Sequence, residues 1–173
     1  MTNEAVQTGK TVDVTLTVTA KDLWAFSMYH ANAGLMGIFN LLFTLAALYL
    51  LIFRWSGTTT PYRCLLVICA LIFTVWQPFL LWTKAKKQAK RPAVKDPMRL
   101  VFDDEKLTVS QTDNQAEFTW EQMGLLDAKR SMYILYMDRV HAYLLPKTAL
   151  GDQEEAFREL VTAHLPKEKR RKI

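Results

Sequence analysis

Two uninterrupted apolar runs, Leu35 to Phe53 and Cys64 to Trp82, dominate the pattern of hydrophobic and polar positions. Each is 19 residues long and uncharged, and ten residues, Arg54 to Arg63, separate them. As a helix each run is about 28 Å long at ~1.5 Å per residue, enough for a hydrocarbon core ~30 Å thick. The pattern predicts a transmembrane hairpin. Its turn reads R-W-S-G-T-T-T-P-Y-R, with Gly57 and Pro61 as breakers. Trp55, Tyr62, Trp76 and Trp82 fall at or near the run ends, where amphipathic rings settle at the headgroup level.

Outside the hairpin the period changes. Val12, Val14, Leu16 and Val18 alternate with polar residues, which predicts a half-buried strand that must join a sheet. Thr19 and Asp22 have capping-box spacing, so a helix is expected near Ala20. Leu23, Trp24, Phe26, Met28 and Tyr29 make it mostly apolar, an interfacial helix or a lead into the first span. From Met98 onward the chain reads as short strands over 99–103, 106–111, 116–120, 123–128, 132–137 and 140–145. After Pro146 a helix is expected, with Asp152 and Glu155 at capping-box spacing. Phe157, Leu160, Val161, His164 and Leu165 form its apolar stripe, and Pro166 stops it.

Antiparallel strands followed by one amphipathic helix give an α+β plan: a two-helix transmembrane hairpin plus a small antiparallel sheet domain with a C-terminal helix. A pleckstrin-homology-like half-barrel has this order of elements. The expected organisation is an N-terminal strand and interfacial helix over 1–33, the hairpin over 34–83, and a basic juxtamembrane linker over 84–97. A sheet-plus-helix domain over 98–166 and a basic tail over 167–173 complete it.

Charge orients the hairpin. The net charge of +5 is concentrated: Lys84, Lys86, Lys87, Lys90, Arg91 and Lys95 face a single acid between residues 84 and 96. From Met98 on, 12 basic residues stand against 13 acidic ones, so the domain itself is near neutral. The positive-inside rule puts the basic segment, and with two spans both termini, in the cytoplasm of a multi-pass protein of the plasma membrane. That arrangement lets the Val12–Val18 strand pair with the later sheet. The basic run is sufficient as a topology signal. As a functional element, Lys84, Lys86, Lys87, Lys90 and Arg91 are candidate contacts to anionic lipid headgroups, worth up to ~1 kcal/mol each. The neutral domain lacks the basic, aromatic-interleaved face that nucleic acid requires.

Polar residues inside the hairpin suggest a seam. Asn40 and Gln77 lie at equal depth, as do Thr44 and Thr74, and Ala47 and Ala70. Gly37, Asn40, Thr44 and Ala47 share one face of the first helix, and Ala70, Thr74 and Gln77 one face of the second. Small and hydroxyl residues let helices approach closely in lipid, and packing the hairpin explains them. A homo-oligomer or a polar cleft is the sharper reading. No ionisable residue occurs in either run, which argues against proton or ion transport. Pro78 is expected to kink the second helix.

The chain offers no catalytic constellation. His30, His141 and His164 have no Cys, Asp or Glu at metal-ligand spacing. Cys64 and Cys69 sit on different faces of the second run, and Asp103-Asp104-Glu105 lacks the ligand count calcium needs. No phosphate loop, serine elbow or dinucleotide fingerprint is present. No enzyme activity, cofactor or metal is expected.

Several short motifs resemble the YcxB-like family of bacterial membrane proteins. They are the strand ending in Leu16-Thr17 with Asp22 in the helix after it, Phe118-Thr119-Trp120, the aromatic strand Tyr133-Ile134-Leu135-Tyr136, and Leu144-Leu145-Pro146-Lys147. After Lys147 the family tends to a basic residue and an aromatic, where this chain has Thr148 and Leu150. The resemblance implies a soluble domain joined to a membrane hairpin and supplies no catalytic residues. Trp120 and Tyr133 are expected to anchor the small core. The expected function is a membrane-anchored cytoplasmic module that binds a protein partner or anionic headgroups. The alternative is a small oligomeric membrane protein that forms a pore or assists a transporter.

Overall fold

A computed structural model describes residues 10–138 and 141–173. Val140, where the last strand is expected to begin, Arg139 in the hairpin turn before it, and residues 1–9 lie outside the described residues. The chain forms two compact units, Thr19–Arg91 and Pro92–Ile173, the latter joined by the strand that precedes Thr19.

The first unit is helical. α1 (Ala20–Ala31) opens on a formed capping box, in which Thr19 N–H donates to Asp22 Oδ2 and Asp22 N–H donates to Thr19 Oγ1. α2 (Gly34–Phe53) follows a tight turn, where Gly34 takes φ 59°. Gly37 answers a second demand of that turn. A Cβ there would stand 2.1 Å from the Asn32 carbonyl oxygen, so Gly37 makes room for α1's end. A short 3₁₀ turn, Trp55–Gly57, leads to α3 (Thr60–Leu71). Pro61, expected as a breaker within the turn, lies in the first turn of α3, where its missing N–H costs nothing. Arg63 rests its guanidinium 4.5 Å from the Trp55 ring and donates from Nη2 to the Trp55 carbonyl at 2.7 Å.

The second apolar helix is interrupted. A π-helical segment, Ile72–Trp76, separates α3 from α4 (Gln77–Ala89). Pro78 accounts for it: proline has no N–H to give the carbonyl four residues earlier and its ring crowds that carbonyl, so the turn before it widens. The expected kink takes this form. α1 packs along α4 and α2 along α3. Trp24 donates from Nε1 to the Pro78 carbonyl at 3.1 Å and meets Trp82 edge-on, with 6.1 Å between centroids.

The second unit is α+β. After a single turn of helix, α5 (Pro92–Lys95), come two four-stranded sheets. β1 (Val12–Leu16), β2 (Met98–Phe102), β3 (Lys106–Gln111) and β4 (Asn114–Thr119) form an antiparallel sheet in that order. The register pairs Val12 with Phe102 and Leu16 with Met98. β5 (Leu125–Ala128), β6 (Met132–Tyr136) and β7 (Ala142–Pro146) form an antiparallel meander in the second sheet. α6 (Lys147–Leu150) and α7 (Glu154–His164) follow, and β8 (Arg170–Arg171) pairs parallel to β5.

One core lies between these layers. Alternation puts Val12, Val14 and Leu16 inward from β1, Leu100 and Phe102 from β2, and Leu126, Tyr133, Leu135 and Leu145 from the second sheet. α7 closes it with Phe157, Leu160 and Val161. The Phe157 ring meets Phe102 at 5.0 Å and Tyr133 at 5.1 Å, so one aromatic cluster joins both sheets to the helix.

One expectation is corrected here. Asp152 and Glu155 do not cap a helix. Gly151, at φ 51°, ends α6, and Gln153 becomes the N-cap of α7 without a side-chain capping bond. The basic tail joins the second sheet. After a 3₁₀ turn over Lys167–Lys169 it becomes β8, with Lys169 Nζ donating to the carbonyls of Glu121 and Met123 at 2.9 and 2.7 Å.

Candidate functional site

The hairpin seam is built from α2 and α3. Asn40, Thr44 and Ala47 are buried on α2, and Leu66 and Ala70 on α3. The 3- and 4-residue spacing on α2 is what keeps its three residues on one stripe. Thr74 leaves the stripe: it falls in the π segment, is exposed, and donates its hydroxyl to the Ala70 carbonyl at 2.8 Å. The wide turn adds a residue to the local period and so breaks the register of Ala70, Thr74 and Gln77. Asn40 and Gln77 share no hydrogen bond among the described residues. Asn40 donates from Nδ2 to the Ala31 carbonyl at 3.4 Å, and Gln77 Oε1 is buried without a described partner.

Around that seam the helices present apolar surface outward. Leu35 is 85% exposed, Met36 69% and Phe53 70%, with Phe39, Ile52, Ile68, Trp76 and Phe79 also exposed. Gly34–Phe53 and Thr60–Ala89 are each long and apolar enough to cross a membrane.

The basic segment occupies the C-terminal half of α4 and its continuation. Lys84, Lys86, Lys87, Lys90, Arg91 and Lys95 are all exposed, and no acidic side chain among the described residues pairs with them. Cations at the end of α4 complement the helix dipole, which explains part of their placement. Lys86 Nζ lies 5.0 Å from the Trp82 ring centroid. A groove runs between this end of α4 and the start of α1, lined by Ala20, Thr83, Lys86, Lys87, Ala89 and Lys90.

In the sheet unit the polar residues singled out from sequence serve the fold. Trp120 is buried and donates from Nε1 to the Asp103 carbonyl at 3.0 Å. His164 stacks on Trp120 with 5.3 Å between centroids and sets Nε2 3.2 Å from Asp104 Oδ1. Asp103 Oδ1 accepts from the N–H groups of Glu105 and Lys106, closing the acidic turn on itself. His141 pairs with Asp138 at 2.7 Å.

The Leu-Leu-Pro-Lys step has a structural account. Tyr133 is 1% exposed and donates its hydroxyl to Glu154 Oε1 at 2.8 Å. Lys147 lies 3.1 Å from the same carboxylate and 4.8 Å from the Tyr133 ring centroid. Pro146 ends β7, so Lys147 starts the next helix directly over that ring. Burial, and then the Glu154 carboxylate, push the Tyr133 hydroxyl up to about 12. The hydrogen bond from Tyr133, then that from Lys147, hold the Glu154 carboxyl below its usual range against the opposing effect of burial. The cluster fastens β6 and β7 to the start of α7. Nothing in the spacing of Tyr133, Lys147 and Glu154 along the sequence announces it.

Among the described residues no group of three His, Cys, Asp or Glu side chains could hold a metal ion.

No curated protein and no solved structure matches the chain. A family model does: residues 102–161, from the end of β2 into α7, match YcxB-like protein, and this stretch contains Trp120, Tyr133, Lys147 and Glu154. Residues 102–161 are therefore similar to the YcxB-like family.

Proposed function

We propose that this protein is a membrane-anchored module whose hairpin crosses the bilayer twice and whose YcxB-like domain works at the cytoplasmic surface. The observation that carries the reading is the outward apolar surface of both long helices. A soluble core helix would bury those side chains, whereas hydrocarbon accommodates them at no hydrophobic cost. β1 supports two retained spans. It precedes the first apolar helix and pairs along its whole length with β2, which follows the second. A cleaved leader would take β1 with it, and strands on opposite sides of a bilayer could not pair. The basic segment after Trp82 supports a cytoplasmic location for both termini.

At that surface the exposed lysines of α4 contact anionic headgroups, and the sheet domain is held there to receive a protein partner. The sequence of a four-stranded meander, a three-stranded meander and a C-terminal helix fits a pleckstrin-homology-like half-barrel. No catalytic role is assigned. One further reading is a small oligomer that forms a pore or assists a transporter, its copies meeting through the exposed apolar faces of α2 and α3. A strictly monomeric protein in mild detergent and in lipid would eliminate it.

Topology is the direct test. With Cys64→Ala and Cys69→Ala as background, Thr59→Cys reacts with a membrane-impermeant maleimide on intact cells, and Asn114→Cys reacts only after lysis. Labelling of Asn114→Cys on intact cells overturns the orientation. Release of the protein from membranes by alkaline carbonate overturns the anchor.

A further inference from the structure

We propose that the groove between α1 and the end of α4 seats the phosphodiester headgroup of one anionic phospholipid. The inference rests on the membrane-anchored reading above and narrows its diffuse basic surface to a site. Thr83, Lys86, Lys87 and Lys90 follow the i, i+3, i+4, i+7 spacing and share one face of α4. That face looks across the groove to Ala20. Lys84 projects about 100° round the helix from Thr83, Arg91 lies beyond the helix end, and neither lines the groove.

The lysines are arranged at a cost. Lys86 with Lys90, and Lys87 with Lys90, are like-charge pairs one helical turn apart, which repel unless an anion lies between them. No described acid neutralises any of the three. Alanines at 20 and 89 keep the groove open, and the Thr83 hydroxyl gives its proton to the Leu80 carbonyl at 2.8 Å, so the lysine ammonium groups are the donors that face the phosphate. A lipid, not a free anion, is the occupant because α4 is continuous with an apolar helix. Trp82, one turn before Lys86 and in contact with it, marks the headgroup level. Trp24, bonded to the Pro78 carbonyl and packed on Trp82, keeps α1 against α4 and fixes the groove's width.

The test is lipid retention by the full chain in mild detergent, read by native mass spectrometry with dioleoyl-phosphatidylglycerol, dioleoyl-phosphatidylcholine and inorganic phosphate as probes. One phosphatidylglycerol should be retained at least about tenfold more tightly than phosphatidylcholine, and the K86Q/K87Q/K90Q variant should lose about that preference. K84Q/R91Q should keep it, and K86R/K87R/K90R, which preserves the charges, should keep it too. Unchanged thermal midpoints for these exposed substitutions show that the fold is intact. If the two glutamine variants lose retention equally, the seated site is wrong and the diffuse basic surface stands. If phosphatidylglycerol is not preferred at all, lipid recognition by the basic segment fails as well. Displacement of the lipid by inorganic phosphate overturns the choice of occupant.

Discussion

Gln153 holds both backbone groups of Asp13, accepting its N–H at Oε1 and donating from Nε2 to its carbonyl, each at 3.1 Å. One side-chain amide thus does for a single residue what a neighbouring strand does for a row. β1 is an edge strand, and its free side needs such a partner or water. Arg99, across the strand pair, binds the Asp13 side chain and holds its carboxyl below the usual carboxylate range.

Replacing Gln153 therefore loosens β1. Gln153→Ala should cost about 1 kcal/mol, because water can solvate the freed groups at this exposed edge. The Asp13 amide should exchange with deuterium faster in the variant, while amides of β3 stay as protected as before. Unchanged protection at Asp13 would mean that the β1–β2 ladder alone fixes the strand.

The Tyr133–Lys147–Glu154 cluster makes stability depend on pH at both ends of the scale. Tyr133 is raised in the folded state from 10.0 to about 12, so its contribution is complete below pH 10 and is lost as pH rises toward 12. Glu154 is lowered from 4.5, so its contribution is present above that value and is lost as pH falls through the lower folded one. Denaturation of the full chain across pH should show Tyr133→Phe flattening the alkaline limb and Glu154→Gln the acid limb. At neutral pH each should cost about 1–2 kcal/mol, the range for a hydrogen bond to a charged group that is partly solvated.

Thr112 is a strained loop residue. It begins the two-residue connection between Gln111 and Asn114, which pair across β3 and β4, and its φ is 52°. A β-branched residue in that region is disfavoured, and glycine is the usual occupant of the first position of such a turn. Thr112→Gly should raise stability by about 0.5–1 kcal/mol after the loss of chain entropy is counted. A lower thermal midpoint would show that Thr112 makes a compensating contact.

The seam is sensitive to size. Ala47 and Ala70 are 5% and 6% exposed on the packed pair α2 and α3. Ala70→Leu should destabilise the hairpin by about 1–3 kcal/mol through overpacking, more than Asn40→Leu. Ala47→Cys with Ala70→Cys, in a background lacking the native cysteines, should crosslink within one chain. Crosslinks only between chains would make the seam an oligomer contact.

What could be read from sequence followed from short-range periodicity. Val12, Val14 and Leu16 alternate, and a strand results; Phe157, Leu160 and Val161 recur at helical spacing, and a buried face results. Trp120 and Tyr133 were legible as core residues from the motifs of the family resemblance together with their size. Partners distant in the chain were not legible. Gln153 and Asp13 are far apart, and the local capping signal at Asp152 and Glu155 misleads because Asp152 lies inside the 3₁₀ turn Gly151–Gln153. β8 is two residues long, below any window in which alternation can register. The π segment depends on how the chain relieves Pro78, a choice made by packing, so the count that put Thr74 on the seam failed there. The groove beside Lys86 needs α1 folded back onto α4, which no pattern within either helix specifies.

The pairing of Val12 with Phe102 also sets an order of events during synthesis. β1 leaves the ribosome first and has no partner until both apolar helices have been made. At about 5–20 residues per second that wait lasts several seconds. Closing so long a loop before its interior is fixed would be entropically unfavourable, whereas two helices already laid side by side bring the ends together in advance. Under the membrane anchoring proposed above, insertion of the hairpin is the step that licenses completion of the sheet. A chain that fails to insert would leave β2 with a bare edge, marked for degradation or aggregation instead of accumulating as a free soluble domain.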